Sequence, residues 1–372
     1  MQVSNQTRVL QLQCGDLYVE IAPEIGAAIT AFYRVDEAGK RFDYLRPTTA
    51  QAIAAGTISE MASFLMAPWA GRIRNGRFEY QGREIHYPSQ DPTQPHSMHG
   101  FTRDKAWLLG EYQLNHDASG DDDATLRNDT RHSQGAEPEN NIMHSQDAEL
   151  KYKVMHNQNA SLENNAARND TKNESRCAYA RLYFTHQASK EWPFSFTLEQ
   201  TIRLSPQELR IDLRVCNTGS ESMPFGFGHH PFYPCDADTL VQAQVGQAWQ
   251  GDHEVMPIAL IDHPAQPKLA EGLRVQAEEH DTVFVAWQHE ARISWLAQGE
   301  SLVLQASAPQ DFFVLYAPAN QPWFCAEPFA NVTDSFNLRA RYTSDVIGGL
   351  DIAAGQSHST WFSLRPEPYT GP

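Results

Sequence analysis

Leu209-Arg210-Ile211-Asp212-Leu213-Arg214-Val215 puts every apolar side chain on one face and every charged one on the other. Successive side chains of an extended backbone point to opposite sides, so this period of two predicts a strand with one face buried. Upstream, Phe194-Ser195-Phe196-Thr197-Leu198 alternates in the same way, and Ser205-Pro206-Gln207-Glu208 supplies turn chemistry between the two runs. Together they predict an antiparallel hairpin, with Asn217-Thr218-Gly219-Ser220 ending its second strand. Phe312-Phe313-Val314-Leu315-Tyr316 is unbroken apolar sequence of strand length, as expected where both faces are covered, although periodicity alone leaves a short buried helix open. No long run with a 3.6-residue period and caps is found. The expectation is an all-β fold, a large antiparallel β-sandwich forming one domain over residues 1–372.

Composition agrees. Of 372 residues 41% are apolar, enough for a sizeable core, and 22 Gly with 22 Pro favour turns over long helices. A formal charge of −17 disfavours nucleic acid and anionic lipid as partners, because both are bound through clustered Lys and Arg. Residues Met1 to Thr7 lack a basic stretch leading into an apolar run, and nowhere are there the roughly 18 consecutive apolar residues of a membrane span. The five cysteines, at 14, 177, 216, 235 and 325, are scattered and lack C-x-x-C spacing. They read as mostly buried thiols of a cytoplasmic protein rather than as a disulfide framework or zinc ribbon.

One stretch breaks the pattern. Residues 115–176 are rich in Asn, Asp, His, Ser and Gln, and contain short echoes such as Arg127-Asn128-Asp129-Thr130 and Arg168-Asn169-Asp170-Thr171. Such composition buries too little apolar surface to offset ordering entropy, so a disordered surface-loop insertion without catalytic residues is expected. Its histidines define no fixed set of metal ligands.

Three other segments mix reactive polar side chains with turn formers and aromatics. They are Pro68-Trp69-Ala70-Gly71-Arg72-Ile73-Arg74-Asn75-Gly76-Arg77-Phe78 with the later His96-Ser97-Met98-His99-Gly100-Phe101, then Pro224-Phe225-Gly226-Phe227-Gly228-His229-His230-Pro231-Phe232-Tyr233-Pro234, and finally Trp323-Phe324-Cys325-Ala326-Glu327-Pro328 running on to Asp334-Ser335-Phe336-Asn337. Singly, each has a structural explanation: Glu327 as a turn carboxylate, His229-His230 as hydrogen-bonded residues at a strand end, Trp69 as a packed indole.

Taken jointly and in order, the Arg-Ile-x-Asn-Gly-Arg-Phe, His-Gly, His-His-Pro-Phe-Tyr and Glu-Pro motifs resemble those of the galactose mutarotase (aldose 1-epimerase) family. The likeness runs from Val19-Glu20-Ile21-Ala22-Pro23-Glu24-Ile25-Gly26 to Leu350-Asp351-Ile352-Ala353-Ala354-Gly355, skipping the insertion. Gly228-His229-His230-Pro231-Phe232-Tyr233 looks like the variant of a bacterial branch. The resemblance implies a galactose mutarotase-like supersandwich and exchange of the α and β anomers of a free aldose. It also implies Glu327 as general base, His230 as general acid, and Arg72, His99 and Asp281 as groups that hold sugar oxygens. Gly71 departs from the pattern, since the family often has Asn at that position.

Anomer exchange requires a proton to leave the C1 hydroxyl while another reaches the ring oxygen, which opens the ring; rotation and reclosure complete the cycle. One acid and one base suffice, so no metal or other cofactor is expected. A carboxylate near His230 would favour the imidazolium and give a bell-shaped pH dependence. Two rivals share sugar binding: a glycoside hydrolase using Glu327 with Asp281, and a non-catalytic carbohydrate-binding protein on the same fold. A metal enzyme is suggested by His96-x-x-His99 and His229-His230, but adjacent residues on a strand face opposite ways and so ligate one ion poorly.

Overall fold

The computed structural model describes residues 9–116 and 178–371. Among them, two large sheets dominate. The nine-stranded sheet runs, in spatial order, Leu108–Gln113, Ala178–His186, Phe196–Leu204, Leu209–Asn217, Ser357–Pro368, Glu300–Ala306, Glu290–Trp295, Thr239–Ala243 and Leu273–Arg274. The eight-stranded sheet runs Pro257–Ile261, Ala248–Gly251, His280–Phe284, Phe312–Ala317, Trp323–Phe329, Gly228–His229 and Leu65–Met66, with Phe232–Pro234 also pairing with Trp323–Phe329. A five-stranded sheet built around Leu10–Cys14, Leu17–Ala22 and Ala28–Val35 completes the frame. Neighbours in the two large sheets are antiparallel; Gln13 and Cys14 pair in parallel with Asn115 and His116.

The hairpin that decides the fold forms as its alternation requires. Leu209–Asn217 has its odd-numbered apolar residues buried and Arg210, Asp212 and Arg214 partly exposed, and Leu204 pairs with Leu209 across the Ser205–Glu208 turn. Its partner begins at Phe196 rather than Phe194; Trp192 and Phe194 instead enter the core from the preceding loop, so core packing mimics strand alternation there. Phe312–Ala317 is a strand, which resolves the helix alternative, and residues on both its faces are buried, Phe313 and Leu315 in one apolar cluster and Phe312 and Val314 in another. Ile211, Leu213 and Val215 meet Phe362 and Leu364 of their own sheet and Phe313, Leu315, Phe324 and Ala326 of the other in one apolar cluster. Each fully buried Phe there contributes about 2 kcal/mol by removal from water.

Arg72–Phe78 is broken into three short pieces. Arg72–Ile73 is a two-residue strand, Arg74–Gly76 a tight turn with Asn75 at φ 52°, and Arg77–Tyr80 a new strand. α-Helices among the described residues are short, the longest being Ala265–Glu271, and none is long and apolar enough to cross a membrane. The expected insertion at 115–176 lies outside the described residues apart from Asn115 and His116. Of the cysteines, 14, 216 and 325 are buried and Cys235 is half-buried, none of these four in a disulfide, while Cys177 lies outside the described residues.

Candidate active site

Strand register places the central pair. Phe324 and Ala326 of Trp323–Phe329 point into the core between the sheets, so Cys325 and Glu327, at alternate positions, point to the opposite face. Across the strand, Gly228 pairs with Phe329 and Phe232 with Cys325 in one continuous register, which sets His230 opposite Glu327. The ladder lapses between those two pairs, where Pro231 and Pro328 have no amide proton to give. His230 N–H donates instead to the Phe64 carbonyl at 3.0 Å on its other side, and Phe232 N–H to Ala62 at 2.9 Å. The two adjacent histidines then part company. His229 faces the inter-sheet core, stacked on Phe362 at 4.9 Å, whereas His230 lies between the rings of Phe64 and Phe232, at 4.8 and 4.6 Å.

On the other side of Trp323–Phe329, Glu327 pairs with Val314 and Cys325 with Tyr316, which in turn pairs with Asp281. Asp281 and Tyr316 therefore share the face of Glu327. Arg72 and His99 arrive on two loops clamped together. His99 N–H donates to the Gly71 carbonyl at 2.8 Å, and Gly71 N–H donates to His99 Nδ1 at 3.2 Å. With Nδ1 accepting, the ring proton of a neutral His99 sits on Nε2, free to donate to a ligand. Gly100 is required by crowding: its φ is +64°, and a Cβ there would lie 1.9 Å from the Ala67 carbonyl oxygen. The segment after Glu327 fastens the Arg72 loop. Asn331 pairs with both backbone groups of Ala70, Asp334 N–H donates to the Arg72 carbonyl at 2.7 Å, and the Asp334 carboxylate accepts from Arg74 N–H at 2.9 Å.

His230 Nδ1 and Glu327 Oε2 are 3.6 Å apart, slightly too far for a hydrogen bond. Both atoms are buried and have no hydrogen-bond partner. Leaving such groups unsatisfied costs about 1–3 kcal/mol each, a cost that a merely structural pair would avoid. Burial pushes the Glu327 carboxyl well above its ordinary range, and the charge of Asp281 adds to this. Burial also pulls His230 down to about 3, helped by Arg103 and Arg46. A carboxyl does lie beside His230, but burial raises its own pKa well above the ordinary range, which weakens the charge it can lend the imidazole. Burial therefore works against charge on both groups. His99 is pulled well below its ordinary value by burial, then by Arg103, His230 and Arg72. Asp281 stands at the rim with an exposed surface; enough protein still surrounds its carboxyl to raise its pKa, with Arg72 pulling the other way.

The family model for aldose 1-epimerase matches residues 8–174 and 168–365. The chain belongs to the aldose 1-epimerase family. Among relatives, the uncharacterized protein YphB of Escherichia coli K12 is 22% identical over 367 residues, covering 96% of this chain and 99% of that protein. A solved structure of a putative aldose 1-epimerase from the same organism is similar with a TM-score of 0.69 at 20% identity, over 97% of this chain and 99% of the other. A galactose mutarotase-like protein of Clostridium acetobutylicum superposes with a TM-score of 0.74 at 15% identity, over 99% and 97% of the two chains. These likenesses establish a galactose mutarotase-like fold.

Within this family fold the departure at Gly71 has a local cause. Its φ is +71°, and a Cβ would lie 2.6 Å from Thr333 Oγ1 and 3.0 Å from Thr333 Cα, so Thr333 occupies the space an Asn side chain would need. Trp69 is 1% exposed and packs against Tyr87, Trp192 and Phe101; it is a core indole and offers no face to a ligand. His96 accepts from Asn75 N–H at 3.0 Å and approaches Glu254 at 3.5 Å, while His99 serves the Gly71 loop, so these two histidines have separate tasks. The arginines also separate: Arg74 meets Asp252 and Asp334, and Arg77 meets Glu84. The sequence did not mark Arg103, Arg46, Phe64, Tyr316 or Cys325 as site residues. Two had a usable signal, since Cys325 is two residues from Glu327 on one strand and Arg103 follows His99 within the same loop.

Proposed function

We propose that the protein is a cytoplasmic aldose 1-epimerase of the bacterial branch marked by Gly228-His229-His230-Pro231-Phe232-Tyr233, interconverting the α and β anomers of a free aldose. Glu327 is the base and His230 the acid, and Arg72, His99 and Asp281 hold the sugar. The observation that carries this reading is the 3.6 Å separation of His230 and Glu327, both buried and otherwise unpartnered. The hydroxyl oxygen that loses a proton and the ring oxygen that gains one are both bonded to C1, so acid and base must be close neighbours.

The proton count supports the same assignment. In the closed-ring complex Glu327 is ionised and His230 protonated; ring opening moves one proton to Glu327 and releases one from His230. The open-chain complex therefore meets the uncharged pair that burial favours, and sugar hydroxyls with their own donors and acceptors favour the ionic pair when the ring is closed. On reclosure both transfers reverse, Glu327 returning a proton to the C1 oxygen and His230 taking one from the hydroxyl that becomes the ring oxygen, which makes the cycle reversible.

Polarimetry on freshly dissolved pure anomers tests the proposal. The wild type should accelerate the change of rotation without altering the compound, and Glu327→Gln or His230→Asn should each lower kcat by about 10² to 10⁴ while sugar binding stays measurable. Binding without acceleration would instead mark a carbohydrate-binding protein. Release of a shorter sugar would mark a hydrolase.

A further inference from the structure

We propose that Cys325, Glu327 and His230 form a three-ligand site for a zinc-class divalent ion, and that its occupation takes the acid–base pair out of service. The Cys325 sulfur, a Glu327 oxygen and a His230 ring nitrogen all lie within 4.8 Å of one another. They are held by backbone rather than by loops: Cys325 and Glu327 alternate on one strand, and the Gly228↔Phe329 and Phe232↔Cys325 pairings fix His230 across from them. Zinc bonds of about 2.0–2.3 Å at tetrahedral angles separate ligand atoms by about 3.3–3.7 Å. The 3.6 Å between His230 and Glu327 already meets this, and the Cys325 sulfur, within 4.8 Å of both, would draw closer on binding.

Second, two of the ligand atoms have no hydrogen-bond partner among the described residues. His230 Nδ1 and Glu327 Oε2 are buried without hydrogen-bond partners, and their residues are 9% and 2% exposed. Third, the donor set is selective. A thiolate and an imidazole with a single carboxylate suit zinc, cobalt or copper far better than magnesium or calcium, which prefer oxygen ligands. Three protein ligands leave the fourth tetrahedral position open, the arrangement of an accessible rather than a structural zinc site. Binding displaces the thiol and carboxyl protons to the buffer. Because the ion takes the atoms that must exchange protons with C1 oxygens, metal and sugar compete.

Metal ligation does not depend on the epimerase reading, and the experiment separates them. Chelator-treated full-length protein is titrated with Co²⁺ alone, following the thiolate-to-cobalt charge-transfer band and the visible bands of tetrahedral cobalt, then with Zn²⁺ to displace it. One equivalent should give both bands. Cys325→Ser should abolish the charge-transfer band, Glu327→Gln should weaken affinity at least tenfold, and Cys235→Ser and Cys177→Ser should change neither. The last control matters because the His-rich sequence at 132–156 offers background imidazoles and Cys177 a nearby thiol in sequence. Absence of a thiolate band in the wild type, or its survival in Cys325→Ser, would overturn the site. Where the wild type turns over sugar, one equivalent of Zn²⁺ should inhibit reversibly; full turnover with zinc bound would overturn the competition.

Discussion

His229 gives the sharpest quantitative test of how the site face and the core face divide the two adjacent histidines. It is 2% exposed, stacks on Phe362, has a buried Nε2 without a partner, and is pulled by burial from 6.5 to about 3. A depressed folded-state value means that its contribution to stability is fully present above the unfolded value of 6.5 and is lost as pH falls towards 3. Between pH 7 and about pH 4 the unfolded chain takes up this proton and the folded chain does not, which costs about 3 kcal/mol by linkage. That is a large share of a typical folding free energy of about 5–15 kcal/mol. His229→Phe keeps the stacking ring and removes the titration. Urea unfolding of both proteins at several pH values measures the difference, in which the contributions of the other buried histidines cancel. The variant should be about 3 kcal/mol less sensitive to this acid shift, and anomer exchange at neutral pH should persist, because His229 faces away from the site. If both proteins lose stability in parallel, His229 is charged or solvated in the folded state and its placement in the core is wrong.

Arg72→Ala should raise KM much more than it lowers kcat, since a guanidinium fork that holds sugar oxygens acts on bound sugar and on the transition state alike; steady-state polarimetry reads the split. The pH dependence of kcat/KM, which reports the free enzyme, should be a broad plateau through neutrality, because burial lowers the His230 pKa to about 3 and raises that of Glu327 well above the ordinary carboxylate value. An acid limb centred near 6.5, measured with chelator present, would show that His230 titrates as a solvated imidazole. Gly71→Asn should lose about 1–3 kcal/mol of stability through overpacking against Thr333, read as a lower Tm; an unchanged Tm would mean that Thr333 yields freely.

The sequence carried the hairpin because alternation at Leu209–Val215 is a local property, and one buried face is enough to specify it. It misplaced the start of the preceding strand because Trp192 and Phe194 are core residues that alternate by accident of packing. Glu327, His230, Arg72 and His99 are candidates only through the order of separate motifs, and Asp281 only through the resemblance those motifs carry; what puts Glu327, His230 and Asp281 on one face is register between strands far apart in the chain, and no spacing rule encodes that. The electrostatics were not legible at all. A carboxyl opposite a histidine reads as an ion pair in sequence, but the rings of Phe64 and Phe232 on either side of His230, with Arg103 and Arg46 nearby, reverse the sign of the effect. The same burial that disfavours charge on the pair leaves its atoms unpartnered. On the proposed reading, a sugar that brings its own hydrogen bonds would satisfy them, and so would a metal ion once Cys325 is counted on the same face.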